Sequence, residues 1–173
     1  YKRQGRYQAY ELSPYDETLL LDTDYLINSN KLLSIFDFYD DLCYHNVTGF
    51  LAKKITGQEQ LGKYGYDAAW ATVIVFKKTE RVKHMFDCIK MVQDNYQHYN
   101  QLFGFYSNSY RNDYGLAIAS RLINGQTTDK REIIPWALQH IKKDVKVYKN
   151  TDDEYNTEYT MIADHEDVLL DKK

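Results

Sequence analysis

Two periods alternate along this chain, and they mark out its elements. Thr18-Leu19-Leu20-Leu21 is a short continuous apolar run, and Ala71-Thr72-Val73-Ile74-Val75-Phe76 is a longer, β-branched one bounded by Lys77-Lys78. Runs of this kind predict strands buried on both faces. From Thr79 the period changes: Val82, Met85, Phe86, Ile89 and Val92 recur at spacings of three and four. That spacing predicts a helix with one apolar face through about Tyr99, with Thr79 as its N-cap. A second helix is predicted after Arg111-Asn112-Asp113, carrying Leu116, Ala117, Ala119, Leu122 and Ile123 inward and stopping at Asn124-Gly125.

The segments between are less regular. Residues 3–12 have helix-compatible composition, closed by Ser13-Pro14, because proline removes a donor and pushes its predecessor toward extended geometry. Ser29 or Asn30 is placed to cap a helix over Lys31–Phe38. Residues 43–66, punctuated by four glycines, read as irregular or sheet-edge chain. Ile133-Ile134 and Val145–Tyr148 are weak strand candidates, and the charged, Asn-rich residues 149–158 read as a solvated loop. Strands alternating with helices predict an α/β layered fold with a mainly parallel sheet flanked by helices, residues 1–173 forming a single domain. The chain opens at Tyr1 with no initiator methionine, so it is expected to be part of something longer.

Composition changes this picture little. The formal charge of −3 shows no whole-chain basic excess of the sort that non-specific nucleic-acid binding uses. No apolar run reaches the ~20 residues of a membrane span, so no membrane partner is expected and a cytoplasmic location is. Cys43 and Cys88 match no metal-ligand spacing. The 17 tyrosines suit half-buried faces and polar clefts, although biased codon usage raises the same count.

The candidate chemistry lies in Asp22-Thr23-Asp24, directly after the first apolar strand. In open α/β sheets, ligands gather at the carboxyl ends of strands. Residues i and i+2 of an extended chain point to one side, so both carboxylates can reach one hard cation such as Mn2+ or Mg2+. A solvated turn would supply the same pattern.

The preceding residues narrow the choice. Glu11-Leu12-Ser13-Pro14-Tyr15-Asp16-Glu17-Thr18-Leu19-Leu20-Leu21-Asp22-Thr23-Asp24 resembles the strand and DXD motif of GT-A type nucleotide-diphospho-sugar transferases, in particular a group common in bacteriophage genomes. Residues 71–78 and Arg111-Asn112-Asp113-Tyr114-Gly115 are also similar to that group, so the resemblance covers roughly residues 5–125. It implies a GT-A-like (Rossmann-like) fold, here without the strand and helix that bind the nucleobase. It also implies transfer of a sugar from a nucleotide diphosphate, a UDP-sugar foremost, to an acceptor hydroxyl of a glycan or of modified phage DNA in the host cytoplasm. On the resemblance, Asp24 holds the metal and Asp22 shares it or bonds the ribose. Asp113 meets sugar or acceptor and serves as base if within reach, and Arg111 or Arg6 meets phosphate, with Asn112 beside them. His165 is the positional candidate for a further metal ligand.

Other candidates have plain readings beside the functional ones. His140 follows Pro135-Trp136 and looks structural, while His45, His84 and His98 have no partner pattern. Trp70 and Asp67 precede the second strand near a conceivable acceptor site, and Phe103, Phe105, Tyr106 and Tyr110 offer stacking surfaces or ordinary packing. Asp152-Asp153-Glu154 reads as solvent-facing. Two other classes stay open: a metal-dependent nucleotidyl or phosphoryl transferase, and a GT-A-like binding module without catalysis.

Overall fold

A computed structural model describes residues 5–23, 25, 31–37, 39–50, 53–58, 62–63, 67, 69–105, 107–127, 129–134, 138–140, 145–152, 157–163 and 166–172. A 3-10 turn at Arg6–Gln8 leads into α1 (Ala9–Leu12) and then β1 (Glu17–Leu21). After α2 (Lys31–Ser34) and a 3-10 turn at Ile35–Asp37 come β2 (Leu42–His45), β3 (Val47–Phe50), β4 (Lys53–Gln58) and β5 (Trp70–Lys77). Three helices follow, α3 (Glu80–Asp94), α4 (Tyr96–Phe103) and α5 (Asn112–Ile123), with a 3-10 turn at Lys130–Glu132. The last strands are β6 (Leu138–His140), β7 (Val145–Asp152), β8 (Thr157–Ala163) and β9 (Glu166–Lys172).

The chain is mixed α/β, but its described sheets correct the expectation of a mainly parallel one. The sheet that carries the core has the order β1-β5-β2, and β5 runs antiparallel to both neighbours. β3 pairs antiparallel with β4 and parallel with β6, and β7-β8-β9 is an antiparallel meander. β5 is buried on both faces as expected, whereas β1 is only half-buried; burial does not fix direction. Ile74 and Phe76 of β5, with Leu42 and Tyr44 of β2, pack with the buried faces of α3 and α5. Val73, Val75 and Cys43 point the other way, into a smaller cluster with Ile35, Tyr39 and Ile134. Leu20 joins the first cluster and Leu19 and Leu21 the second, so β1 alternates faces as a strand must.

The helices follow their predicted stripes. Thr79 caps α3, its hydroxyl accepting from the Val82 amide at 3.2 Å. Val82, Met85, Phe86, Ile89 and Val92 are all buried. The expected single helix to Tyr99 is two: α3 stops at Asn95, and α4 continues to Gly104, whose left-handed φ of 64° ends it. The loop expected over 149–158 is also corrected, since β7 runs to Asp152 and β8 starts at Thr157. Residues 43–66, expected to be irregular or sheet-edge chain, carry most of the edge strand β2, then β3 and the edge strand β4, and Ile133 makes an isolated parallel bridge to Tyr44. Ser29, Asn30 and Phe38 lie outside the described residues.

Candidate functional site

Three pieces of chain meet at one end of the core sheet. The first is the 3-10 turn, which packs on α3. This turn, Arg6–Gln8, runs into α1, where the Tyr10 ring stacks on Phe76 at 6.2 Å and the Tyr10 hydroxyl donates to the Thr79 carbonyl. This anchorage sends the Arg6 side chain back along the sheet. The second piece is the end of β1, where the Asp22 amide donates to the Thr72 carbonyl at 3.0 Å. That bond extends the β1–β5 pairing one residue and holds Asp22 beside the start of β5. The third is the first turn of α5, whose residues Tyr114–Ser120 are buried against β5 and α3.

Arg6, Asp22, Ala71, Arg111, Asn112 and Asp113 line the resulting cleft, about 200 Å³ in volume. Its centre is the main chain of Ala71. The Ala71 amide donates to Asp113 Oδ1 at 2.9 Å, and the Ala71 carbonyl accepts from Arg6 Nη1. Arg6 Nη2 pairs with Asp22 Oδ1, and Arg111 Nη2 pairs with Asp113 Oδ2 at 2.7 Å. Two ion pairs are thus joined through one residue's backbone. Each pair sets one shielded group against one open group: the Arg6 side chain is 14% exposed against 40% for Asp22, and Asp113 is 13% exposed against 52% for Arg111.

Aromatic rings shape the α5 side of the cleft. The Arg111 guanidinium lies 5.9 Å from the Trp70 ring and 5.9 Å from the Tyr114 ring, within cation–π range. Tyr110 packs edge-on against Tyr96 at 5.6 Å, and burial beside the Asp113 carboxylate pushes its phenol well above the usual range. Asn112 Oδ1 is buried and has no hydrogen-bond partner among the described residues. Such an acceptor costs about 1–3 kcal/mol unless a ligand or water donates to it.

Five of the residues singled out in the sequence, Arg6, Asp22, Arg111, Asn112 and Asp113, therefore share one cleft. Asp24 and His165 lie outside the described residues, as do Tyr106, Asp153 and Glu154. Trp70 stands at the cleft edge, whereas Asp67 pairs with Arg121 at 2.8 Å and ties α5 to the chain before β5. Phe105 stacks on Tyr114 at 4.8 Å and is a core ring. His45 is fully buried, and His84 approaches Cys88 at 3.9 Å. His140 falls in β6. Burial raises the thiol pKa of both cysteines, Cys43 to about 12. Among the described residues no three His, Cys, Asp or Glu side chains gather as a metal-ligating group, and no helix is long and apolar enough to cross a membrane. The sequence reading missed Ala71, whose contribution is entirely main-chain and carries no side-chain signal.

No family model matches the chain, and neither the curated proteins nor the solved structures yield a match.

Proposed function

We propose that this cleft is the donor site of a metal-dependent glycosyltransferase of the GT-A type, acting on a nucleotide-diphosphate sugar such as a UDP-sugar. What supports the reading is one convergence. Arg6, Asp22 and Arg111–Asp113 were picked from three distant stretches of sequence, and they line a single polar cleft at the carboxyl end of β1. The GT-A architecture is part of the proposal; β1 and β2 run in the same direction on either side of β5, which suits a layered α/β sheet.

On this reading Asp22, with Asp24, holds Mn2+ or Mg2+. Asp22 fits that task by chemistry and position, offering hard oxygen donors from a carboxylate 40% exposed at the cleft wall. A divalent cation there supplies neutralisation of the charge that develops on the leaving diphosphate. Arg111 presents its guanidinium to a phosphate oxygen, backed by the Trp70 and Tyr114 rings. Asn112 Oδ1 accepts from a ligand hydroxyl. Both oxygens of Asp113 are engaged, so its first task is to hold Arg111 and the start of β5 in place. Taking a proton from an acceptor hydroxyl requires its bond to Arg111 to be released. The acceptor, a glycan or modified DNA, and the cytoplasmic setting belong to the same proposal.

Calorimetric titration of UDP with and without Mn2+ tests the reading on the wild type, Asp24→Ala and Arg111→Ala. Metal-dependent binding lost in Asp24→Ala and weakened in Arg111→Ala supports it. Nucleotide turnover without sugar transfer would favour the nucleotidyl or phosphoryl transferase class. Metal and nucleotide binding indifferent to Asp24→Ala would sink the donor-site assignment.

A further inference from the structure

The Arg6 guanidinium already occupies the carboxylate that the proposed cation needs. It pairs with Asp22 Oδ1 through one nitrogen and donates to the Ala71 carbonyl through the other. Its side chain is only 14% exposed, and its backbone belongs to the turn that runs into α1, where Tyr10 stacks on Phe76. The Asp22 backbone is held too, by the hydrogen bond its amide donates to the Thr72 carbonyl. The pair is therefore built from two rigid supports, unlike a chance contact between two long surface side chains.

We infer that Arg6 is a positioning residue that competes with the divalent cation for Asp22, setting cation affinity and coupling it to anion binding. The inference rests on the metal reading of Asp22 given above. A cation arriving at Asp22 meets a carboxylate whose charge is already balanced, and meets a guanidinium that repels it. Binding there requires Arg6 Nη2 to leave Asp22, while Nη1 keeps its bond to the Ala71 carbonyl. The released nitrogen then faces the cleft, where Arg111 already offers positive charge to an anion. An anion that draws Arg6 away frees Asp22 for the cation, and a cation that takes Asp22 frees Arg6 for the anion. By linkage the two effects are equal in size.

Manganese alone is the probe, titrated calorimetrically into the wild type, Arg6→Gln, Arg6→Lys and Asp22→Asn. Gln removes the charge but can still donate to the Ala71 carbonyl; Lys keeps the charge. A half-exposed ion pair competes by a factor of about five, so Arg6→Gln is expected to bind Mn2+ about fivefold more tightly. Arg6→Lys is expected to stay within about twofold of the wild type, and Asp22→Asn to lose about tenfold or more. Asp22→Asn weakening with Arg6→Gln unchanged or weaker would overturn the competition while leaving the metal site standing. No Mn2+ binding to either the wild type or Arg6→Gln would remove the metal reading and this inference with it.

Should Arg6→Gln melt far below the wild type, the arginine Nε–Hε resonance of Arg6 answers the same question in the wild type. It is identified by its loss in Arg6→Lys and followed during Mg2+ titration. Displacement of that resonance as the Asp22 amide shifts is the expected result. An Arg6 signal that stays still while the Asp22 amide moves would refute the competition.

Discussion

Replacing Arg81 by methionine tests the charge lattice that ties the strands to the helices. Arg81, on α3, donates to Asp41 Oδ1 at 2.7 Å and to Asn124 Oδ1 at 2.8 Å, and it pairs with Glu132 Oε1. Glu132 is 3% exposed at its side chain, and its second oxygen accepts from Ser120 Oγ at 2.9 Å and Asn124 Nδ2 at 2.9 Å. Ser120 is bonded in turn to the Tyr44 hydroxyl at 2.8 Å, so one carboxylate links α3, α5, β2 and the 3-10 turn. Removing the cation leaves a buried carboxylate with neutral donors only, which ordinarily costs about 3–5 kcal/mol. The Arg81 side chain is 36% exposed and two donors remain, so solvent screening brings the cost below that range, to about 2–3 kcal/mol. Adding Glu132→Gln to Arg81→Met removes the uncompensated charge and is expected to recover about 1–2 kcal/mol. Urea unfolding followed by circular dichroism measures both. A loss below about 0.5 kcal/mol for Arg81→Met, or a double variant weaker than the single, would refute the assignment of Glu132 as a charge held by Arg81.

Other perturbations read different links. In Gly115→Ala the new Cβ would lie 2.2 Å from Tyr110 Oη and 3.3 Å from Ile89 Cγ2, so a gain of about 1 kcal/mol in helix propensity is outweighed by an overpacking cost of about 1–3 kcal/mol. Thermal unfolding should show a net loss. Thr79→Ala removes the α3 cap and is expected to cost about 1 kcal/mol, with no effect on ligand binding at the distant cleft. Phe76→Ala empties the centre of the larger core cluster and should cost about 3–5 kcal/mol in the same assay. The phenols of Tyr39, Tyr44 and Tyr110 are raised by burial, and that of Tyr96 is raised to about 12. Raised folded values favour the protonated form. This stability is therefore complete below the unfolded pKa of about 10 and falls as pH rises beyond it. Tyr110→Phe, which deletes a buried hydroxyl without a hydrogen-bond partner among the described residues, should be near neutral at pH 7 and should lessen that alkaline decline.

The sequence showed elements wherever a period was unbroken. Leu19-Leu20-Leu21, residues 71–76 and the α3 stripe all sit where their spacing put them, because both faces of β5 and one face of α3 are buried, with β1 half-buried beside them. Direction was not legible: β5 is an apolar run that lies antiparallel to its neighbours, and burial alone says nothing of polarity. β2 was legible only as irregular or sheet-edge chain, because it is four residues long and ends in His45, which is buried despite its polarity. β7 opens on the strand candidate Val145–Tyr148, but its continuation to Asp152 was read as loop, as was the start of β8, because charged and amide residues there read as solvated chain. In the cleft, the arginines and aspartates were legible as residue types. Their mutual pairing was not, since the link between them is the Ala71 peptide, and any residue other than proline could supply it.

That link has a consequence for any ligand. Two arginines and two aspartates line the cleft, so its own charges cancel. A diphosphate entering alone would draw Arg6 from Asp22 and leave that carboxylate uncompensated; a cation entering alone would strand Arg6. A cation and an anion arriving together satisfy Asp22 and Arg6 while Asp113 keeps its hold on Arg111, which is the arrangement a metal–nucleotide complex offers. A cleft neutral at rest also provides little long-range steering, so association with such a complex should depend only weakly on ionic strength. An acceptor bearing many phosphates, such as duplex DNA, would have to find its positive complement elsewhere on the surface. A steep salt dependence for modified duplex DNA, together with a shallow one for the nucleotide, would locate that complement outside the cleft.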